Sequence, residues 1–115
     1  MGSKKRVAPI FPVRDVRTSL EHYRRLGFVA REYEGGGYGF ATLGRVEIHL
    51  GEVPEIDTVR ASAYLFVEDA DDLARQWREA GGDVRLPEDT EWGQHEGTLV
   101  DPDGNVIRFC SPMKH

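Results

Sequence analysis

One cysteine, Cys110, stands in the chain of 115 residues, so no intramolecular disulfide can staple the fold, and a reducing cytoplasm is the expected compartment. Long apolar runs are missing too: no stretch reaches the roughly 20 residues that span a bilayer, and the N-terminal residues carry no signal-peptide core. Positive charge is in short supply. Lys and Arg number 15 against 20 Asp and Glu, a formal charge of -5, which speaks against direct nucleic-acid or membrane partners. The same balance suits a cationic small ligand, although most acidic side chains of such a domain belong to solvated surface. No long linker divides the chain, and 39% hydrophobic with 30% charged residues fits one compact domain, expected over residues 7–112.

What is present repeats. Val7, Ile10, Phe11 and Val13 read as a first strand broken or edged by Pro9 and Pro12. Asp15 or Thr18 can cap a helix whose apolar stripe is Val16, Leu20, Tyr23 and Leu26, with Gly27 as its stop. Strands are expected from Phe28 to Tyr33, Tyr38 to Thr42 and Val46 to Leu50, with Gly35-Gly36-Gly37 as a permissive turn. After an acidic connection from Gly51 to Arg60, the order recurs: a strand from Ala61 to Val67, a helix capped by Asp69 and stopped by Gly81-Gly82, a short strand from Asp83 to Leu86, then a polar loop from Pro87 to Gly93. An offset of about 54 residues places Val13 on Val67, Asp15 on Asp69, Tyr23 on Trp77 and Gly27 on Gly81. The expected fold is therefore α+β, with two related βαβββ modules at about 7–50 and 60–110 forming an open, cleft-containing mixed sheet.

The closing stretch from Glu96 to Phe109 is the clearest hairpin, turned by Asp101-Pro102-Asp103-Gly104. Turn geometry explains its two aspartates better than paired-carboxylate catalysis. Cys110 has no His and acid beside it in sequence and reads as a packing thiol. His49 has two open readings, an interior histidine held by a local hydrogen bond or a direct ligand contact. Tyr33, Tyr38 and Phe40 share the first half's strands, and period two allows Tyr38 and Phe40 to share a face, with Phe40 favoured as core. The loop from Pro87 to Gly97 mixes Glu91 and other acids with Trp92, a composition able to attract a cation and stack a planar group.

Val13-Arg14-Asp15-Val16-Arg17-Thr18-Ser19-Leu20-Glu21-His22-Tyr23, Leu26-Gly27-Phe28 and Asp101-Pro102-Asp103-Gly104-Asn105-Val106-Ile107-Arg108-Phe109 together resemble the vicinal oxygen chelate superfamily, and within it the small bleomycin-resistance-type binding proteins. The resemblance covers Val7 to Pro112. Metal-dependent relatives would place ligands near Ala8, His49, Ser62 and Arg108, of which only His49 is a good donor. The resemblance thus implies no resident metal or other cofactor, no catalytic residue and no enzyme, although the ligand could itself carry copper or zinc. It implies a homodimer that binds and sequesters a bulky planar or cationic natural product, plausibly a bleomycin-family glycopeptide, and so gives resistance. The expected ligand-binding residues are Tyr33, Tyr38, His49, Glu91, Trp92 and Arg108, with Trp92 matched to the family's Trp-Gly feature. The alternatives are a divergent metal-dependent enzyme of the superfamily and a small-molecule accessory protein of natural-product biosynthesis.

Overall fold

A computed structural model of the protein describes residues 5–53 and 60–113. Two stretches of like order account for it: β1 (Ile10–Val13), α1 (Val16–Arg25), β2 (Val29–Glu32), β3 (Tyr38–Leu43) and β4 (Val46–Glu52), then β5 (Ser62–Phe66), α2 (Ala70–Glu79), β6 (Asp83–Asp89), β7 (Gln94–Val100) and β8 (Val106–Pro112). Each module folds into its own open mixed sheet, ordered β1-β4-β3-β2 and β5-β8-β7-β6. In each, the opening strand lies parallel to the last and the remaining pairs are antiparallel. Much of the Gly51 to Arg60 connection lies outside the described residues. No helix among the described residues is long and apolar enough to cross a membrane.

The repeat extends to the caps. Asp15 accepts from the backbone N–H groups of Arg17 and Thr18, and Asp69 from that of Asp72, which satisfies donors that a helix start otherwise leaves orphaned. The first helical N–H is taken up in both modules by the last strand: Val16 donates to Glu52 and Ala70 to the Ser111 hydroxyl. Both helices end on a glycine with positive φ, Gly27 and Gly81. Each helix covers one face of its own sheet, so alternate strand residues Phe11, Ala41, Ile48 and Leu50, or Leu65, Val84, Leu99, Ile107 and Phe109, are buried. Among the described residues, the other face of each sheet is left without a helix.

Side chains from the repeat-related positions tie the modules together. Tyr23 donates to Asp101 at 2.9 Å in the second module, and Trp77 donates back to the Leu26 carbonyl at 3.0 Å in the first. Phe28 stacks on Trp77 and meets Tyr23 edge to face, so the two helical faces share one core. The hairpin turn takes part: Asn105 donates to the Pro12 carbonyl, and Asp103 accepts from the backbone and guanidinium of Arg14.

Two of the boundaries that differ from the sequence reading bear on the site. β6 continues past Leu86 to Asp89, because a register shift between Arg85 and Glu88 lets Pro87 sit in an edge strand without donating to the ladder. The expected loop from Pro87 shrinks accordingly to Thr90 through Gly93. β1 begins at Ile10, so Ala8 precedes it. The register then sets Ile10 rather than Ala8 beside His49, and Tyr64 rather than Ser62 beside Arg108.

Candidate functional site

On the uncovered face of the first sheet, one cross-strand row runs Ile10, His49, Phe40, Arg31. Phe40, expected in the core, is half-buried on this open face instead. Its ring meets His49 and Tyr38 edge to face at 5.0 and 5.6 Å, and the Arg31 guanidinium lies 4.3 Å from its centroid. His49 Nε2 lies 2.6 Å from the Glu47 carboxylate and Nδ1 lies 2.8 Å from the Tyr38 hydroxyl. A proton on Nε2 satisfies both: the imidazole donates to Glu47 and accepts from Tyr38. The hydrogen bond from His49, assisted by Arg6, holds the Glu47 carboxyl below the usual carboxylate range. A shallow concavity of about 220 Å³ is lined here by Arg31, Phe40, Thr42, Glu47 and His49, among others. Tyr33 is exposed just past β2 and outside this lining, its ring close to Gly35.

The open face of the second sheet carries the other group. Glu96 accepts from the Tyr64 hydroxyl at 2.6 Å and from Arg108 Nε at 2.8 Å, while Trp92 Nε1 reaches the Tyr64 oxygen at 3.4 Å. Burial raises the Glu96 carboxyl, but the bonds from Tyr64 and Arg108 outweigh it and hold the group below its ordinary value. The bond to Glu96 pushes the Tyr64 phenol up to about 12. Trp92 stays 60% exposed. Glu91 is an exposed turn residue with no side-chain partner among the described residues.

The six expected binding residues thus fall into two groups, Tyr33, Tyr38 and His49 on the first module and Glu91, Trp92 and Arg108 on the second. Among the described residues no hydrogen bond or ring contact joins the two. Sequence reasoning turns Tyr64 and Phe66 toward the interior, whereas both are exposed on the second sheet's open face, and it does not single out Arg31. The signal for Tyr64 was its place, 54 residues after Ile10, on a strand whose Leu65 is buried.

The positions that the resemblance implies for metal ligands are not furnished for a metal. The four residues meeting across the two parallel pairs are Ile10, His49, Tyr64 and Arg108, which offer one imidazole, one phenol already bonded to Glu96, an alkyl chain and a cation. No group of three or more His, Cys, Asp or Glu able to hold an ion occurs among the described residues.

Two other histidines set opposing pH dependences. His22 is buried, its Nδ1 has no hydrogen-bond partner among the described residues, and burial, then Arg25, push its pKa down to about 4 from 6.5. The unfolded chain therefore binds the proton first, so stability is full above pH 6.5 and falls as pH drops toward 4, at up to about 1.4 kcal/mol per pH unit. His95 lies 2.8 Å from Asp71 of α2 and 2.8 Å from Asp89 of β6, one carboxylate on each ring nitrogen. Both nitrogens must donate. The bond to Asp71, then that to Asp89, raises its pKa, so its contribution is full below the ordinary histidine value and fades as pH rises through the folded one. Denaturation midpoints across pH 4 to 8 are expected to lose the acid dependence attributable to this site in H22L and to lose a neutral-range decline in H95N, and profiles parallel to the parent's would contradict both assignments.

The family model described as Glyoxalase/Bleomycin resistance protein/Dioxygenase superfamily matches residues 6–109. A bleomycin resistance protein of Klebsiella pneumoniae is 28% identical over 111 residues, which span 88% of this chain and 87% of that one. The crystal structure of a bleomycin resistance determinant encoded on the transposon Tn5 superposes with a TM-score of 0.86 at 25% identity, covering 96% of this chain and 100% of that one. A bleomycin-binding protein solved in complex with bleomycin superposes with a TM-score of 0.85 at 26% identity and the same coverage.

Proposed function

Because the chain belongs to the Glyoxalase/Bleomycin resistance protein/Dioxygenase superfamily, we propose that it binds and sequesters a bulky planar natural product without altering it, a bleomycin-family glycopeptide being the first candidate. The observation that carries this reading is the composition of the open faces. Where a metal-dependent relative needs convergent donors, this chain sets Ile10, His49, Tyr64 and Arg108, and around them it spreads aromatic rings, Tyr38 and Phe40 on one sheet and Tyr64, Phe66 and Trp92 on the other. Such surfaces bind by stacking and apolar burial. Tyr33, Tyr38, His49, Trp92 and Arg108 are the proposed contacts. Glu91 contributes through long-range attraction alone, given its exposed turn position.

Resistance would follow from a lowered free concentration of the drug. The site is completed, in this reading, by a homodimer in which the open faces of two copies meet around the ligand. Large apolar side chains left in solvent on both faces support it, Val29 at 76% and Phe66 at 75% exposure. The cytoplasm is the proposed compartment, where buried Cys110 stays reduced.

Calorimetry with metal-free, copper-loaded and zinc-loaded bleomycin, followed by mass analysis of the recovered drug, tests the proposal. Saturable binding with an unchanged ligand mass is expected. A product of altered mass, or no heat of binding from any of the three forms, would overturn it. Light scattering behind a sizing column checks the dimer independently.

A further inference from the structure

Tyr38 of β3 ends in a phenol whose proton is already committed. Its ring reaches over Gly51, the residue opposite it on β4, and the hydroxyl meets His49 Nδ1 at 2.8 Å. On the other side of the imidazole, Nε2 meets Glu47 at 2.6 Å, and Glu47 takes a further bond from Arg6 at 2.8 Å. His49 first, then Arg6, hold the Glu47 carboxyl below its usual range, so it acts as an acceptor only. The imidazole therefore donates from Nε2, because a proton on Nδ1 alone would turn a lone pair onto an anion at 2.6 Å. Nδ1 is left to accept, and the phenol to donate. The consequence falls on the outer side of the oxygen: Tyr38 has given up its one proton, and no donor among the described residues reaches its remaining lone pair. Each bond of the relay polarises the next, which makes that oxygen a better acceptor. The residue is half-buried on the open face, beside the Phe40 ring at 5.6 Å.

The second sheet shows the same arrangement with the acceptor in use. Tyr64 donates to Glu96 at 2.6 Å, and Trp92 Nε1 points at the Tyr64 oxygen from 3.4 Å. Among the described residues of the first sheet, nothing plays the indole's part. We infer that Tyr38 is a specificity residue that accepts a hydrogen bond from an N–H group of the ligand, a carboxamide or an amine, attached to a planar ring system lying on Phe40. The inference rests on the sequestration reading for taking this face as ligand-bearing, and it narrows the ligand from planar to planar with an N–H donor beside the ring. A glycopeptide carries such donors in its amide bonds, and a basic ligand carries them in its amines. A group that offers only acceptors would set lone pair against lone pair and leave both unsatisfied.

Two probes test this on the whole protein: 2-naphthamide and methyl 2-naphthoate, which share a ring system and a carbonyl while only the amide has N–H donors. Ligand-observed NMR titrations, run at about pH 8 and so above the ordinary histidine value, give the ratio of their dissociation constants. The preference for the amide is expected to fall about 5-fold in Y38F, the equivalent of one net hydrogen bond. H49L keeps the phenol but releases its proton to serve the ester carbonyl, and a fall of similar size is expected there, with circular dichroism confirming that both variants fold. A ratio unchanged in Y38F overturns the inference. So does a ratio that falls in Y38F but holds in H49L, which would trace the preference to the phenol itself and not to its committed proton. Absence of saturable binding of both probes to the parent overturns it as well. Bleomycin titrated into the same proteins keeps the two readings apart: bleomycin binding without a Tyr38-dependent amide preference removes this inference and leaves sequestration standing, whereas that preference without bleomycin binding keeps the N–H subsite and removes this antibiotic as its ligand.

Discussion

Replacing Asp101 by alanine lowers the unfolding free energy by about 3–5 kcal/mol, the largest loss expected from any single polar substitution in this chain. The side chain is 4% exposed, and four donors converge on it. Oδ1 accepts from the backbone N–H of Asp103 and of Asn105, and Oδ2 from the Tyr23 hydroxyl and the Asn105 amide. Alanine leaves all four without an acceptor in a place water does not reach, and each orphaned donor costs about 1–3 kcal/mol, less when neighbours relax together. The effect crosses the module boundary, because Tyr23 belongs to α1 and the other donors to the β7–β8 turn. Asparagine separates charge from geometry: D101N keeps one oxygen at the site, and since burial already raises the Asp101 pKa against its hydrogen bonds, removing the charge is expected to cost about half as much or less. Urea denaturation of both variants checks the ranking, and an alanine loss under about 1 kcal/mol would show the bonds to be replaceable by water.

That residue also marks where sequence reading stopped. Asp101 and Asp103 were assigned to the turn, and the turn is real: Gly104 takes φ +85 and donates to the Asp101 carbonyl. Local spacing can announce a turn because Pro, Asp and Gly set backbone angles within four residues. It cannot announce a bond from Tyr23 to Asp101, 78 positions away. Caps, helix stops and the offset of 54 were legible for the same local reason, and Tyr23 and Trp77 fell on buried helical faces as their spacing implied. Faces and registers were not. Alternation says that Tyr38 and Phe40 point the same way, but not toward solvent, and a slip of two residues kept side-chain parity while exchanging Ala8 for Ile10 and Ser62 for Tyr64. The Tyr64, Glu96, Arg108 and Trp92 cluster was out of reach too, since it joins three segments through a parallel pairing that leaves no mark in the intervening sequence.

Trp92→Ala is expected to weaken bleomycin binding by about 30-fold, the equivalent of about 2 kcal/mol for losing an aromatic anchor, with stability changed by no more than about 0.5 kcal/mol. The asymmetry comes from how the ring is held. Its turn is closed beneath it: the Thr90 backbone donates to the Gln94 carbonyl at 2.8 Å, the Thr90 hydroxyl donates to the same oxygen at 3.0 Å, and the Gln94 N–H returns to that hydroxyl at 3.1 Å. Gly93 supplies the positive φ of +88 that the turn requires. None of these bonds uses the indole, so the backbone keeps its shape without it. The ring itself is 60% exposed and its N–H reaches Tyr64 only at 3.4 Å, a weak bond at best. A large apolar plane kept in solvent on a fixed turn loses little entropy when it is covered, and that is the condition for a strong contact. Phenylalanine at 92 should recover most of the affinity if stacking dominates, and little of it if the indole N–H is the contact. Calorimetry on the alanine variant decides the matter: unchanged affinity rejects Trp92 as a stacking residue, and unchanged affinity with a weakened dimer reassigns it to the subunit contact.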